Sequence, residues 1–322
     1  MNNTVARLLD GIPLVESPLF EQLLPTMNLN AEEERIARDL HRDGFAVIEF
    51  PDAQIQCRAD RMIASLAASF HTNLIHASGV ANANDLRVQD AWRTNDDVRA
   101  VAANADLTAL LGKLYGRPAF AFQTLNFPVG TQQAAHSDTV HFSSLPERYM
   151  CGVWLALEDI SAEAGPLLYY PGSHRWPLLS NTDLGRRGWR VPLQSAQEPF
   201  EPVWQALVQA KGVEPVTFTP RKGQALIWAA NLLHGGSVRQ DRCLTRWSQV
   251  THYYFENCIY YTPAFSDPSV GLLDIRTVID IATGEIVPNH FMGEPMNTVH
   301  HFKQKQAVSI FQRLRSSFLS PF

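Results

Sequence analysis

From Pro118 onward the chain is built of short β-rich segments: "AFAFQTLNF" (119–127), "MCGVWLALED" (150–159), "VTFTP" (216–220), "QALIWAA" (224–230) and "WSQVTHYYFE" (247–256). Gly, Pro and Asn separate them. Strands this short, broken this often by turn residues, predict a sandwich or barrel. Helical patterns lie ahead of them. "NAEEERIARDLHRDG" (30–44) carries an N-cap at Asn30, Glu33 three residues later and a terminating Gly44. Residues 53–70 place Ile55, Ala59, Met62, Ile63, Leu66 and Phe70 on one stripe, and "ADLTALLGKLYG" (105–116) is a third candidate. The expectation is a mainly β protein with flanking α-helices, a double-sheet β core backed by the N-terminal helices.

The organisation expected is an N-terminal arm over residues 1–29, broken by Pro13, Pro18 and Pro25, followed by one catalytic domain over 30–322. That domain carries an insert at about 171–215 and a C-terminal extension at about 258–322. Within the extension, "DIATGEIVP" (280–288) reads as a hairpin around Thr283 and Gly284, and "VSIFQRLRSSFL" (308–319) as an amphipathic helix. A hydrophobic fraction of 45% supplies a core for a soluble protein, and a net charge of −5 offers no basic face to a nucleic acid. Cys57, Cys151, Cys243 and Cys258 form no CxxC pair and read as reduced thiols. No run of 18 apolar residues is present, and the N-terminus lacks a signal-peptide core, so a cytoplasmic location without membrane insertion is expected.

"AAHSDTVHF" (134–142) places His136 and Asp138 one residue apart. On a strand such a pair shares a face. Alone the pattern is common on exposed strands and turns. A second histidine, His234, closes the apolar run "IWAANLLHGGS" and precedes two glycines, and Arg246 follows in "LTRWSQVTHYY". Two imidazoles and a carboxylate are the ligand set of an Fe(II) facial triad, which leaves positions open for a chelating cosubstrate and dioxygen. Zinc and manganese accept the same ligand types. A guanidinium nearby selects among these, because its planar fork can hold the far carboxylate of a dicarboxylate such as 2-oxoglutarate.

In order, "RDGFAVIEF", the "HSD" pair, "GVWLALEDISAEAGPLLYYPGSHRWP", "LLHGGS" and "TRWSQVTHYY" resemble the phytanoyl-CoA dioxygenase family of Fe(II)- and 2-oxoglutarate-dependent oxygenases. The most specific stretch is "ALEDISAEAGPLLYYPGSH", and the resemblance covers roughly residues 35–256. It implies a double-stranded β-helix, a jelly-roll barrel with iron at its open end, held by His136, Asp138 and His234, and Arg246 as the anchor of 2-oxoglutarate. Some members carry a serine two residues after the second histidine. Here that position is Gly236, and Ser237 follows.

Gln123 and Thr124 lie on the strand leading to the metal pair and are pocket candidates, and Trp154 is a candidate to border the cosubstrate. His141 either faces the substrate or caps a loop. His174 reads as a turn-stabilising histidine, His252 as a packed core histidine, and His300 and His301 as a solvated helix start. Arg186, Arg187 and Arg190 in "RRGWR" either meet an anionic substrate or form a solvated face.

The expected reaction is hydroxylation of an unactivated C–H bond of a small molecule, using dioxygen and releasing succinate and carbon dioxide, with ascorbate as a candidate reductant. Asp138 argues against halogenation, which needs its coordination position for a halide. Two alternatives are a non-catalytic jelly-roll binding module and a metal-dependent isomerase or hydrolase on a cupin-like barrel. The second leaves Arg246 and the glycine pair unexplained. Sequence does not name the substrate or the oligomeric state.

Overall fold

The computed structural model describes residues 8–70, 86–188 and 196–296. The helix "VSIFQRLRSSFL", His300, His301 and Arg190 lie outside them.

Helix α1 (Ala31–Asp43) starts on the expected capping box: the Asn30 side chain accepts from the Glu32 and Glu33 amides, and Glu33 accepts from the Asn30 amide. It ends at Gly44 with φ 83°, a left-handed cap that feeds straight into strand β1 (Phe45–Glu49). Helix α2 (Ile55–Leu66) buries Ile55, Ala59, Met62 and Leu66. After the short strand β2 (Val88–Gln89) come α3 (Asp96–Ala102) and α4 (Ala105–Tyr115), capped by the side chains of Asn95 and Asn104.

The remaining principal strands are β3 (Ala119–Phe127), β4 (Ser143–Leu145), β5 (Met150–Ala156), β6 (Leu167–Tyr169), β7 (Val216–Phe218), β8 (Gln224–Ala229), β9 (His234–Gly236), β10 (Ser248–Phe255) and β11 (Ile259–Tyr261). Every pairing among β1–β11 is antiparallel. A six-stranded sheet runs β1-β8-β5-β10-β3-β2, and a three-stranded sheet runs β7-β6-β9. Together they form the jelly-roll. Strands β4 and β11 pair separately, and the expected hairpin at 280–288 is present as Val278–Ile279 against Ile286–Val287.

Alternation along the strands divides the large sheet into two buried faces. One carries Leu125, Phe127, Trp154, Leu226, Trp228 and Val250 against Leu167, Tyr169 and Phe218 of the small sheet. The other packs Phe120, Tyr253 and Phe255 with Met62, Leu107 and Leu111 of the helices. The N-terminal arm is pinned to this body by Val15, Phe20 and Leu24, all buried.

The insert packs over the ligand-bearing loops. Its helix α5 (Glu201–Lys211) contributes Trp204 to a cluster with Phe200, Val140 and Leu233, neighbours in sequence of Asp138 and His234.

Candidate metal centre

His136 sits just outside the small sheet but forms an antiparallel bridge with His234, the first residue of β9. Asp138 opens a short 3-10 turn two residues later, with Ser137 as its cap. Side chains from a strand edge and the following turn thereby converge, and His136, Asp138 and His234 each offer a ligand atom within 4.8 Å of the others. All three are buried.

The tautomers are set by the backbone. Nδ1 of His136 lies 2.9 Å from the Ala134 carbonyl, and Nδ1 of His234 lies 3.0 Å from that of Leu232. A carbonyl only accepts, so each Nδ1 carries a proton, and Nε2 is the nitrogen each ring turns towards a metal. Those Nε2 atoms are each 3.9 Å from an Asp138 oxygen. Burial, with His234 alongside, pushes the His136 pKa down to about 3, so its ring is neutral near pH 7. Burial opposes the charge on Asp138, but the imidazoles of His234, His252 and His136 outweigh it and hold the carboxyl well below its usual range. A neutral imidazole at His136 and a carboxylate at Asp138 are protonation states that suit a divalent cation. The donor set fits Fe(II).

A cavity of about 420 Å³ opens beside the three ligands, within the usual range for small-molecule sites. Arg246 lines it, in the segment that enters β10. Its side chain is 3% exposed, Nη1 donates to the Gly165 carbonyl at 3.2 Å, and the guanidinium carbon lies 5.6 Å from the centre of the Trp154 ring. Nε has no hydrogen-bond partner among the described residues. Burial, with Arg239 nearby, lowers its pKa to about 10, and no described carboxylate compensates its charge. A buried cation facing a cavity without an anion is a receptor for one. The carboxylate of 2-oxoglutarate fits it.

Gly235 and Gly236 also line the cavity, and they are small for a steric reason. A Cβ on Gly235 would stand 2.8 Å from the Gln133 carbonyl, and one on Gly236 would stand 2.8 Å from the Gln132 amide. The glycine pair lets the two ligand-bearing segments lie against each other.

The other expected site residues divide by strand alternation. Gln123 and Trp154 line the cavity. Thr124 lies between the cavity-lining Gln123 and Leu125 on β3 but is not itself in the lining, and its buried hydroxyl has no hydrogen-bond partner among the described residues. Ser237 is outside the cavity too, its hydroxyl donating to the Pro166 carbonyl at 2.8 Å. His141 lines the cavity with Nε2 3.3 Å from Gln197 Oε1, and Gln133 donates to that same oxygen at 3.0 Å. His174 does not line the cavity, and its Nε2 lies 3.2 Å from the His41 carbonyl in the last turn of α1. Arg186 and Arg187 do not line the cavity.

The reading of His252 as a packed core histidine is corrected here, and Trp228 joins it as a neighbour of the triad. His252 lies 3.7 Å from Asp138 Oδ2 and lines the cavity, and Trp228 Nε1 donates to the same oxygen at 2.8 Å. Both face inward on strands whose alternation is readable, but an aromatic on an inner strand carries no mark separating a packed ring from one beside a ligand. Arg87 and Gln89 of the β2 region and Gln197 of the insert were missed as lining residues because the segments bearing them carry no motif.

A jelly-roll with two histidines and an aspartate at its mouth, and a buried arginine behind them, has the architecture of a non-haem iron oxygenase. Residues 40–239 match the family model for phytanoyl-CoA dioxygenase, and the chain belongs to that family. It is similar to the ectoine dioxygenase of Nocardia farcinica, 26% identical over 236 residues that cover 69% of this chain and 77% of the relative. Among solved structures, the epimerase SnoN in complex with Fe3+, alpha ketoglutarate and nogalamycin RO aligns with a TM-score of 0.54 at 22% identity, covering 82% of this chain and 97% of that one. EctD from S. alaskensis with 2-oxoglutarate and 5-hydroxyectoine aligns with a TM-score of 0.53 at 19% identity, over 74% and 80% of the two chains. The non-haem carbocyclase SnoK of nogalamycin biosynthesis gives 0.54 at 17%, over 72% and 87%. These structures share the fold. Family membership and the His-Asp-His cluster together make the chain an iron- and 2-oxoglutarate-dependent dioxygenase.

Proposed function

We propose that this dioxygenase hydroxylates an unactivated C–H bond of a small molecule bound in the cavity beside His136, Asp138 and His234. The observation that carries the reading is the retained carboxylate of Asp138 between the imidazoles of His136 and His234, with a buried, uncompensated Arg246 on the same cavity. When bound, Fe(II), 2-oxoglutarate and dioxygen supply the oxidising power: one oxygen atom goes to succinate, formed with carbon dioxide, and the other to the substrate C–H bond.

The chain's own residues do the rest. His136 and His234 present Nε2 from rings locked by the Ala134 and Leu232 carbonyls. Arg246 binds the distal carboxylate of the cosubstrate, and its position over Trp154 in a dry wall strengthens that bond. Leu125, Phe127 and Val250 exclude water, and Gln89, Gln123, Gln133, Gln197 and His141 offer hydrogen bonds that orient a polar substrate.

Asp138 separates hydroxylation from halogenation, because it fills the position a halide would take. A substrate of ectoine's size suits the cavity, as the similarity to ectoine dioxygenase suggests. We also assign residues 30–322 to one catalytic domain, since α1 runs directly into the large sheet and the insert packs on the ligand loops. Among the described residues no helix is long and apolar enough to cross a membrane, and all four cysteines are free, which supports a cytoplasmic location.

The test is succinate formation from 2-oxoglutarate in the presence of iron and ascorbate, followed by mass analysis of a turned-over substrate. Succinate with a product heavier by one oxygen atom supports the reading. No succinate from metal-loaded protein across a panel of small polar substrates contradicts it.

A further inference from the structure

Beneath the triad, three residues form one row across the large sheet. Trp228 of β8 is paired with Gly152 of β5, and Gly152 is paired with His252 of β10. Glycine is a costly choice in the interior of a central, buried strand, where it adds no packing and loses the most backbone entropy. The reason lies in the indole. A Cβ at Gly152 would overlap the Trp228 ring at Cε2 and Cζ2. The strand therefore gives up a side chain, and the indole lies across the gap with its Nε1 2.8 Å from Asp138 Oδ2. Trp228 is 2% exposed, so this bond is made out of water.

The two oxygens of Asp138 are consequently not equivalent. Oδ2 accepts from Trp228, with His252 Nε2 at 3.7 Å and His234 Nε2 at 3.9 Å, whereas Oδ1 accepts from no donor among the described residues and stands 3.9 Å from His136 Nε2. An indole N–H can only donate. We propose that Trp228, given room by Gly152, is a positioning residue that occupies Oδ2 and so presents Oδ1 as the single carboxylate oxygen for the metal. A carboxylate free to turn would bind through both oxygens or swing off the site. One fixed by an indole keeps the remaining positions open. Second-neighbour bonds of this kind typically change metal affinity by about 10- to 100-fold.

The inference rests on His136, Asp138 and His234 being the metal ligands, and the experiment separates the two ideas. Apoprotein is titrated with cobalt(II), an oxygen-tolerant substitute for iron, following its visible d–d absorption, with chelator competition for affinity. The proteins compared are wild type, Trp228→Phe and His234→Ala. The expected result is a dissociation constant raised roughly 10- to 100-fold in Trp228→Phe, with an altered d–d spectrum, and no binding in His234→Ala. A residue with a merely structural role would lower the melting temperature of the apoprotein and leave the cobalt spectrum as in wild type. Should Trp228→Phe fail to fold, β-(3-benzothienyl)alanine placed at position 228 keeps the shape of the ring and replaces only its N–H. Wild-type affinity and spectrum in the Trp228 variant, with binding abolished in His234→Ala, would overturn the role of Trp228 alone. Wild-type binding in both would overturn the ligand assignment along with it.

Discussion

His136 and His234 exchange both backbone hydrogen bonds of an antiparallel bridge, His136 N–H to the His234 carbonyl at 2.8 Å and His234 N–H to the His136 carbonyl at 2.9 Å. Their rings are 4.5 Å apart, centre to centre. The spacing of the two imidazole ligands is thus a property of the sheet. It needs no metal to establish it, because main-chain bonds and the carbonyls of Ala134 and Leu232 fix both rings.

The same bridge makes the neighbouring glycines indispensable. In Gly235→Ala the new methyl meets the Gln133 carbonyl and the Ala135 amide, both backbone groups that cannot rotate away. Forcing that much overlap into a packed site costs on the order of 1–3 kcal/mol. Gly235→Ala is expected to melt several degrees lower and to lose most of its metal affinity, read by calorimetry and cobalt titration on one preparation. Unaltered metal binding would show that the contact between the two segments is not what spaces the ligands.

Arg246 makes a prediction about the cosubstrate alone. Truncating one partner of a desolvated charge pair costs on the order of 2–5 kcal/mol, or roughly 30- to several-thousand-fold in affinity. Arg246→Ala should raise the 2-oxoglutarate concentration needed for half-maximal succinate formation within that range while metal affinity stays near wild type. Arg246→Lys should recover only part of the loss, because an ammonium lacks the fork. Equal cosubstrate dependence in Arg246→Ala and wild type would move the anchor to another cation, with Arg239 and Arg242 as the next candidates.

His174 predicts how the apoprotein responds to acid. The ring is buried between the end of α1 and the Asn231 loop, and burial, with Arg175 and Arg148 nearby, lowers its pKa from 6.5 to about 4. Between those values the unfolded chain takes up a proton that the folded chain refuses. The stabilisation is therefore complete above pH 6.5 and is lost as the pH falls towards 4, amounting to roughly 3 kcal/mol for this one group. His174→Gln should flatten the fall in apoprotein melting temperature between pH 6.5 and 4. An identical slope in the variant would mean that other groups carry the acid sensitivity.

Much of this was legible in the sequence because the decisive features are local. The Asn30–Glu33 box and Gly44 set α1, and the period-two pattern of "AFAFQTLNF" predicts both faces of β3. "HSD", "HGG" and Arg246 are recognisable for their chemistry before their contacts are known. What remained hidden depends on three-dimensional proximity. Trp228 reaches Asp138 across 90 positions of sequence through space vacated at Gly152, and no window of the chain shows the three together. Thr124 and Gln123 were indistinguishable as polar strand residues until the register of β3 against β10 assigned their faces. Ser237 looked available only because its acceptor, the Pro166 carbonyl, lies in a distant turn.

The central claim is that Asp138 is a metal ligand, and one titration tests it most directly. Wild-type protein and Asp138→Gly are each titrated anaerobically with Fe(II) and then 2-oxoglutarate, following the visible charge-transfer band of the ternary complex, with and without azide. The wild type should develop the band and turn over when oxygen is admitted. Asp138→Gly, with one ligand and one negative charge removed, should bind Fe(II) more weakly and lose hydroxylation, and azide should perturb its spectrum by entering the vacated position. Wild-type iron affinity together with full turnover in Asp138→Gly would contradict the assignment of His136, Asp138 and His234 as the iron site.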